Sequence, residues 1–308
     1  MIEGAQDRFQ WEFTRTSPPF AYRLVRHATD QPVVLFLHGG PGDNCAYFSA
    51  CCGRLLEARY TVLWVDQPGC GHSPRDIPCE DHDPDAFLVG LCHMHEQLAL
   101  PPMIVMGHSW GGMLAGLFAS QMPRRTRALI NVCGPASFPE MLYNLLCHLR
   151  GFFSDNAKAL HNLTRITQLP LGFARFTQLF HYARIAGLYY RDHDATRTAM
   201  EANIRSTLST GEYDANSLQD ADDTLFAACE YHSVMTRDIT PQLLRVECPT
   251  LVIGGTHDRI VDRACLETYW KAIHHAQRII FSHSGHNPFQ EEPENFLTAI
   301  DHFITQLP

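Results

Sequence analysis

Residues 103–122 read MIVMGHSWGGMLAGLFASQM, from Met103 to Met122. Met103 to Met106 are apolar at every position, the signature of a strand buried on both faces, as in parallel sheets flanked by helices. Met113 to Met122 have the composition and spacing of a helix. Between them lies Gly107-His108-Ser109-Trp110-Gly111-Gly112, with glycines two residues to either side of a serine. Those glycines permit a turn so tight that Ser109 must take strained backbone angles and present its hydroxyl outside the sheet, a nucleophile elbow. A bare GxSxG arises by chance in many proteins, and its weight here comes from standing between a buried strand and a helix.

The same apolar pattern recurs on both sides, at Val33 to Leu37, Thr61 to Val65, Ala128 to Val132 and Thr250 to Ile253, with helix-length segments between. The expected fold class is therefore α/β, a mostly parallel, doubly wound sheet. Two shorter strands are expected at Phe9 to Arg15 and Phe20 to Arg26, separated by the breaker Ser17-Pro18-Pro19. The alternation stops after Val132 and resumes near Pro249. In the interval, apolar residues recur at helical spacing, in one stripe from Met141 to Phe153 and another from Phe176 to Gly187, which predicts a helical insertion. The expected division is a core of residues 1–136 and 241–308 with a helical cap at 137–240.

Composition narrows the function. The 308 residues are 45% apolar and 19% charged, which predicts a soluble globular chain, and 24 basic against 33 acidic residues give a net charge of −9. That charge repels phosphate backbones and anionic lipids, so neither nucleic acid nor membrane is an expected partner. No stretch suits a membrane span, and MIEGAQDRFQ has neither a basic start nor an apolar run, so a cytoplasmic location is expected. The 11 cysteines are scattered without a CxxC pair, as suits reduced thiols. Cys79 to Asp83 and Cys92 to His95 are rich in metal-ligand types but lack the spacing that closes a tetrahedral site.

A serine hydroxyl is a weak nucleophile at neutral pH and needs a base, itself oriented by an acid, in the order Ser, Asp or Glu, His. Asp258 follows the strand TLVIGG and His286 follows RIIF, both in glycine-containing turns at strand ends. Ser109, Asp258 and His286 are therefore the expected catalytic residues, with the serine hydroxyl about 2.6–3.2 Å from the His286 ring. His257, Asp262 and His283 are the nearest rivals. An oxyanion needs N–H donors, which the residue after the nucleophile, Trp110, and Gly40 in His38-Gly39-Gly40-Pro41-Gly42 can supply.

With these residues assembled, the chain resembles the α/β-hydrolase superfamily and, within it, the proline iminopeptidase-like branch of serine aminopeptidases. The resemblance rests on HGGPG at His38 to Gly42, DQPGCGHS at Asp66 to Ser73, GHSWGG at Gly107 to Gly112, and the ordered Asp258 and His286. Pro68 stands where those enzymes usually carry arginine. The resemblance implies an α/β-hydrolase fold with an inserted helical cap, and hydrolysis of a small molecule or short peptide with a free amino terminus through an acyl-enzyme. It also implies acidic cap residues that hold the substrate's amine. Glu230 is the expected one, with Glu201 and the run Asp220 to Asp223 behind it. No metal or organic cofactor is required. An esterase, thioesterase, lactonase or acyltransferase would use the same triad, and a ligand receptor with little turnover could share the fold.

Overall fold

A computed structural model of the chain describes residues 10–27, 31–218 and 223–308. Eight strands form one sheet, β1 (Glu12–Phe13), β2 (Ala21–Val25), β3 (Val33–Leu37), β4 (Thr61–Asp66), β5 (Met103–His108), β6 (Thr126–Val132), β7 (Thr250–Gly255) and β8 (Gln277–Phe281). Their spatial order is β1-β2-β4-β3-β5-β6-β7-β8, with β2 antiparallel to both its neighbours, β1 and β4, and every other pairing parallel. β1 is shorter than the sequence suggests. It is an edge strand whose two residues are both exposed, so no buried face extends it.

The continuous apolar runs are explained by the two faces they serve. Val33, Leu35 and Leu37 of β3 and Met103 and Val105 of β5 enter one core, while Val34, Phe36, Ile104 and Met106 enter the other. The first core is covered by α1 (Pro84–Gln97), α2 (Trp110–Gln121) and α8 (Arg263–Ala272), the second by the helical turns of 46–57 and α9 (Pro293–Thr305). Each fully buried Leu or Phe contributes about 1.5–3 kcal/mol to holding these layers.

Between β6 and β7 lie α3 (Phe138–Phe152), α4 (Ala157–Ile166), α5 (Phe173–Ile185), α6 (His193–Thr210) and α7 (Asp223–Tyr231). The expected stripes form their packed faces, with Met141, Leu145 and Leu149 of α3 and Phe176 and Leu179 of α5 buried. The chain leaves and re-enters the sheet through a clip: Ser137 bridges Asp238, Phe138 N–H donates to Arg237 O at 3.0 Å and Ile239 N–H to Ala136 O at 2.8 Å. Among the described residues no helix is long and apolar enough to cross a membrane.

Helix α2 is pressed onto the middle of the sheet. A Cβ at Gly107 would stand 1.9 Å from Gly111 O, one at Gly111 2.0 Å from Leu37 O, and one at Gly112 2.2 Å from Asn131 Oδ1. Backbone cannot yield as a side chain can, so Gly107→Ala is expected to remove about 3 kcal/mol or more of unfolding free energy in urea titration. Gly151 in α3 has nothing within 4 Å of its would-be Cβ, and Gly151→Ala should instead gain up to about 1 kcal/mol. A Gly107→Ala protein as stable as the parent would contradict this packing.

Candidate active site

The end of β5 and the start of α2 force Ser109 to φ 54° and ψ −120°, an arrangement costing a non-glycine residue about 1–3 kcal/mol. Hydrogen bonds hold it there. Ser109 N–H donates to Val132 O at 2.9 Å, and Ser109 O accepts from Gly112 N–H at 2.8 Å and Met113 N–H at 3.3 Å.

Strands β7 and β8 deliver the other two residues to the same edge. The Asp258 side chain is fully buried; its Oδ1 accepts from Ile260 N–H at 2.8 Å and Val261 N–H at 2.9 Å. Its Oδ2 lies 2.8 Å from His286 Nδ1. A carboxylate can only accept, so the proton of the neutral ring is on Nδ1 and its lone pair on Nε2, the tautomer a general base requires. The His286 ring lies 4.9 Å, centroid to centroid, from that of His108, the residue before Ser109. Among the described residues the Ser109 hydroxyl makes no hydrogen bond, so the expected short contact with His286 is not formed. Such a bond commonly tightens only when substrate seats against the serine. The rivals are engaged elsewhere. Asp262 accepts from Cys265 N–H at 3.1 Å and pairs with His148 at 2.9 Å, and the exposed His283 lies against Arg191; the Asp258 carboxylate is bonded to His286, not to His257.

The loop after β3 is tied to the elbow. Gln67 N–H donates to His38 Nε2 at 2.9 Å, which leaves His38 Nδ1–H to donate to Gly39 O at 2.9 Å. The Gln67 amide then donates to His38 O at 2.7 Å and accepts from Trp110 Nε1–H at 2.9 Å. Gly40 takes φ +111°, and a Cβ there would lie 2.4 Å from Gly42 N, so only glycine fits. Among the described residues the Gly40 and Trp110 N–H groups have no acceptor, whereas Gly39 N–H is taken by Tyr47. Two N–H groups, one on the elbow and one on the loop packed against it, are thus left without an acceptor, which an oxyanion hole requires.

The cap corrects one expectation. Glu230, expected to face the serine and hold an amine, is exposed and its carboxylate accepts Phe173 N–H at 2.5 Å, at the first turn of α5. The unsatisfied N–H groups and positive dipole end of that helix attract it. Glu201 pairs with Arg197 on α6, and Asp220, Ala221 and Asp222 lie outside the described residues. A continuous line of ring contacts runs instead from the elbow through the cap to the histidine. Trp110 contacts Phe138, Phe138 contacts Phe176, Phe176 packs tilted against Phe180, Phe180 contacts Tyr189, and Tyr189 meets the His286 ring, with centroid separations of 4.1 to 6.3 Å. A cavity of about 30 Å³ opens beside Trp110 and Pro41, walled by Leu114, Leu225 and Cys229, with no carboxylate in its described lining.

Sequence reasoning missed Cys133, which follows β6 with φ 49°. Ligand atoms of Cys133, Asp258 and His286 lie within 4.8 Å of one another. Burial, with the Asp258 charge beside it, pushes the thiol well above its usual range. A metal would need the thiolate, so the trio suits a protonated thiol beside a hydrogen-bonded carboxylate and imidazole better than an ion. Neither ligand-rich stretch, Cys79 to Asp83 or Cys92 to His95, forms such a group among the described residues.

The chain belongs to the alpha/beta hydrolase fold family, whose model matches residues 32–293. A proline iminopeptidase of Lactobacillus helveticus is 26% identical over 301 residues, covering 92% of this chain and 94% of its own length. The crystal structure of the proline iminopeptidase of Mycobacterium smegmatis superposes at TM-score 0.70 with 21% identity, covering 96% of this chain and 98% of its own. The enol-lactonase of Burkholderia xenovorans LB400 does so at TM-score 0.66 with 16% identity, covering 96% and 100%. At those identities the two structures speak for the fold alone.

The position of Glu230 generates a test. If its carboxylate serves α5, Glu230→Ala should lower the unfolding free energy by about 1 kcal/mol, while hydrolysis of a neutral ester changes by less than about twofold. A large rise in KM for the β-naphthyl ester of proline, with unchanged stability, would return Glu230 to the substrate.

Proposed function

We propose that the chain is a serine hydrolase that cleaves a small acyl substrate through a covalent acyl-enzyme. The observation that carries this reading is the buried Asp258–His286 pair, bonded at 2.8 Å through Nδ1, with Nε2 left to serve the strained Ser109. His286 Nε2 takes the hydroxyl proton as Ser109 Oγ attacks the carbonyl carbon. Gly40 and Trp110 N–H groups receive the developing oxyanion, and Asp258 stabilises the imidazolium. Collapse breaks the bond to the leaving group, which departs with the proton from His286. Water then loses a proton to His286 as it attacks the acyl carbon, and collapse releases the acid while Ser109 Oγ takes that proton back from His286.

The chain of ring contacts that ends on His286 and the engagement of Glu230 at a helix end support a neutral, apolar acyl group held as an ester, thioester or lactone. The arc of rings from Trp110 to Tyr189 offers stacking and apolar contact, and Glu230, the acid expected to bind an amine, serves a helix end. An ammonium left without a carboxylate in such a pocket would cost several kcal/mol. A second reading, an aminopeptidase of the proline iminopeptidase kind, is favoured by the likeness to the Lactobacillus helveticus enzyme over 92% of this chain. It requires a carboxylate to reach the substrate's amine on binding.

Two measurements separate these readings. Ser109→Ala should abolish labelling by a fluorophosphonate while leaving the fold intact; labelling that persists would move the nucleophile elsewhere. The β-naphthyl esters of cyclopentanecarboxylic acid and of proline differ by the ring ammonium. The neutral ester should show kcat/KM higher by about tenfold or more, and a preference of that size for the proline ester would establish the aminopeptidase instead.

A further inference from the structure

Ser109 is flanked by two residues that bind away from each other. Trp110 ties to Gln67, as described above. On the other side, His108 takes part in a chain of hydrogen bonds. Gly39 N–H donates to the Tyr47 hydroxyl at 2.8 Å, Tyr47 Oη lies 2.8 Å from His108 Nδ1, and His108 Nε2 lies 3.0 Å from His286 O. The carbonyl end sets the protons of the ring. A carbonyl can only accept, so His108 Nε2–H donates to His286 O, and in the neutral ring Nδ1 then accepts from the Tyr47 hydroxyl, whose oxygen takes the Gly39 N–H. Burial, reinforced by the nearby His286, holds His108 well below the usual histidine range, and burial pushes the Tyr47 phenol well up. Both groups are therefore neutral, as the chain demands.

The chain starts at the loop that carries the oxyanion donor Gly40 and ends on the backbone of His286. We propose that Tyr47 and His108 are positioning residues that fix the separation between the oxyanion loop and the catalytic histidine, using the residue next to the nucleophile as the spacer. Neither touches the reacting atoms. Without the Tyr47 oxygen, the buried Gly39 N–H loses its acceptor and His108 Nδ1 its donor. His108 can then take the other tautomer, with Nε2 bare toward His286 O. One missing atom thus loosens both sides of the transition state while leaving the cap and its apolar contacts in place. That predicts a loss in kcat rather than in KM.

This inference rests on the serine hydrolase reading, and its test keeps the two apart. The rate constant for phosphonylation of Ser109 by a fluorophosphonate is measured for the wild type, Tyr47→Phe, His108→Gln and His108→Leu, with kcat and KM for a neutral β-naphthyl ester. Tyr47→Phe should slow phosphonylation and kcat by about tenfold or more with KM within about threefold. His108→Gln, whose amide N–H reaches toward the Nε2 position, should retain about tenfold more of both rates than His108→Leu. A folded Tyr47→Phe protein labelled within about twofold of wild type would overturn the proposal. If that variant does not fold, the His108 pair decides, and equal rates for Gln and Leu would overturn it. A wild-type protein that is not labelled at all would sink the serine hydrolase reading, and the positioning role with it.

Discussion

The backbone of Ser109, fixed at φ 54° and ψ −120°, is the constraint on which the site depends. A serine does not adopt those angles unaided, and what holds it is the approach of α2 to β3, β5 and β6 at distances only glycine permits. With the helix that close, its first N–H groups point outward at the carboxyl edge of the sheet, where Trp110 N–H lies open. The residues on either side of the serine are then thrown apart, His108 toward the histidine turn and Trp110 toward Gln67. Strain at one residue thus sets the directions of its neighbours, and through them the loops that complete the site.

The cap is tied to the core away from the serine as well. Tyr213, just beyond α6, donates its hydroxyl to Asp66 Oδ1 at 3.0 Å, and Asp66 also accepts Cys45 N–H and His72 N–H, each at 2.9 Å. Burial alone would raise the Asp66 carboxyl, but hydrogen bonds from His72 and the nearby His38 outweigh it and hold the group below its ordinary value. Arg23 lies buried between Glu57 at 3.1 Å and Glu212 at 2.7 Å. Such a triad adds little net stability because desolvation offsets attraction, yet its geometry fixes where the segment after α6 returns to the sheet.

What could be read from the sequence was what repeats or is local. The strands announced themselves because both faces of the sheet are covered, which makes every position of Val33 to Leu37 apolar. The elbow was legible because glycines at 107 and 111 have one steric reason to flank a serine, and Asp258 and His286 because each follows a strand directly. Glu230 was misread because its partner, the Phe173 N–H, is 57 residues away, on a helix whose placement only packing decides. Tyr47, His108 and Cys133 left no signal for the same reason. A tyrosine beyond the glycine loop, a histidine inside GxSxG and a cysteine ending a strand are each common alone, and their meaning lies in hydrogen bonds and strain between distant elements. The aromatic arc was half visible, since Phe176 and Phe180 were read as a packed stripe, but its two ends at Trp110 and His286 were not.

The central claim is that Ser109 attacks the acyl carbon with the Asp258–His286 pair as its base. Its most direct test is rapid-quench mass spectrometry of the protein mixed with a β-naphthyl ester, followed by peptide mapping. The account predicts an acyl group on the peptide containing Ser109 within the first turnover, formed in step with release of naphthol and lost as the acid appears. Turnover with no adduct at any quench time, or an acyl group on a different residue that forms and decays at the turnover rate, would contradict it.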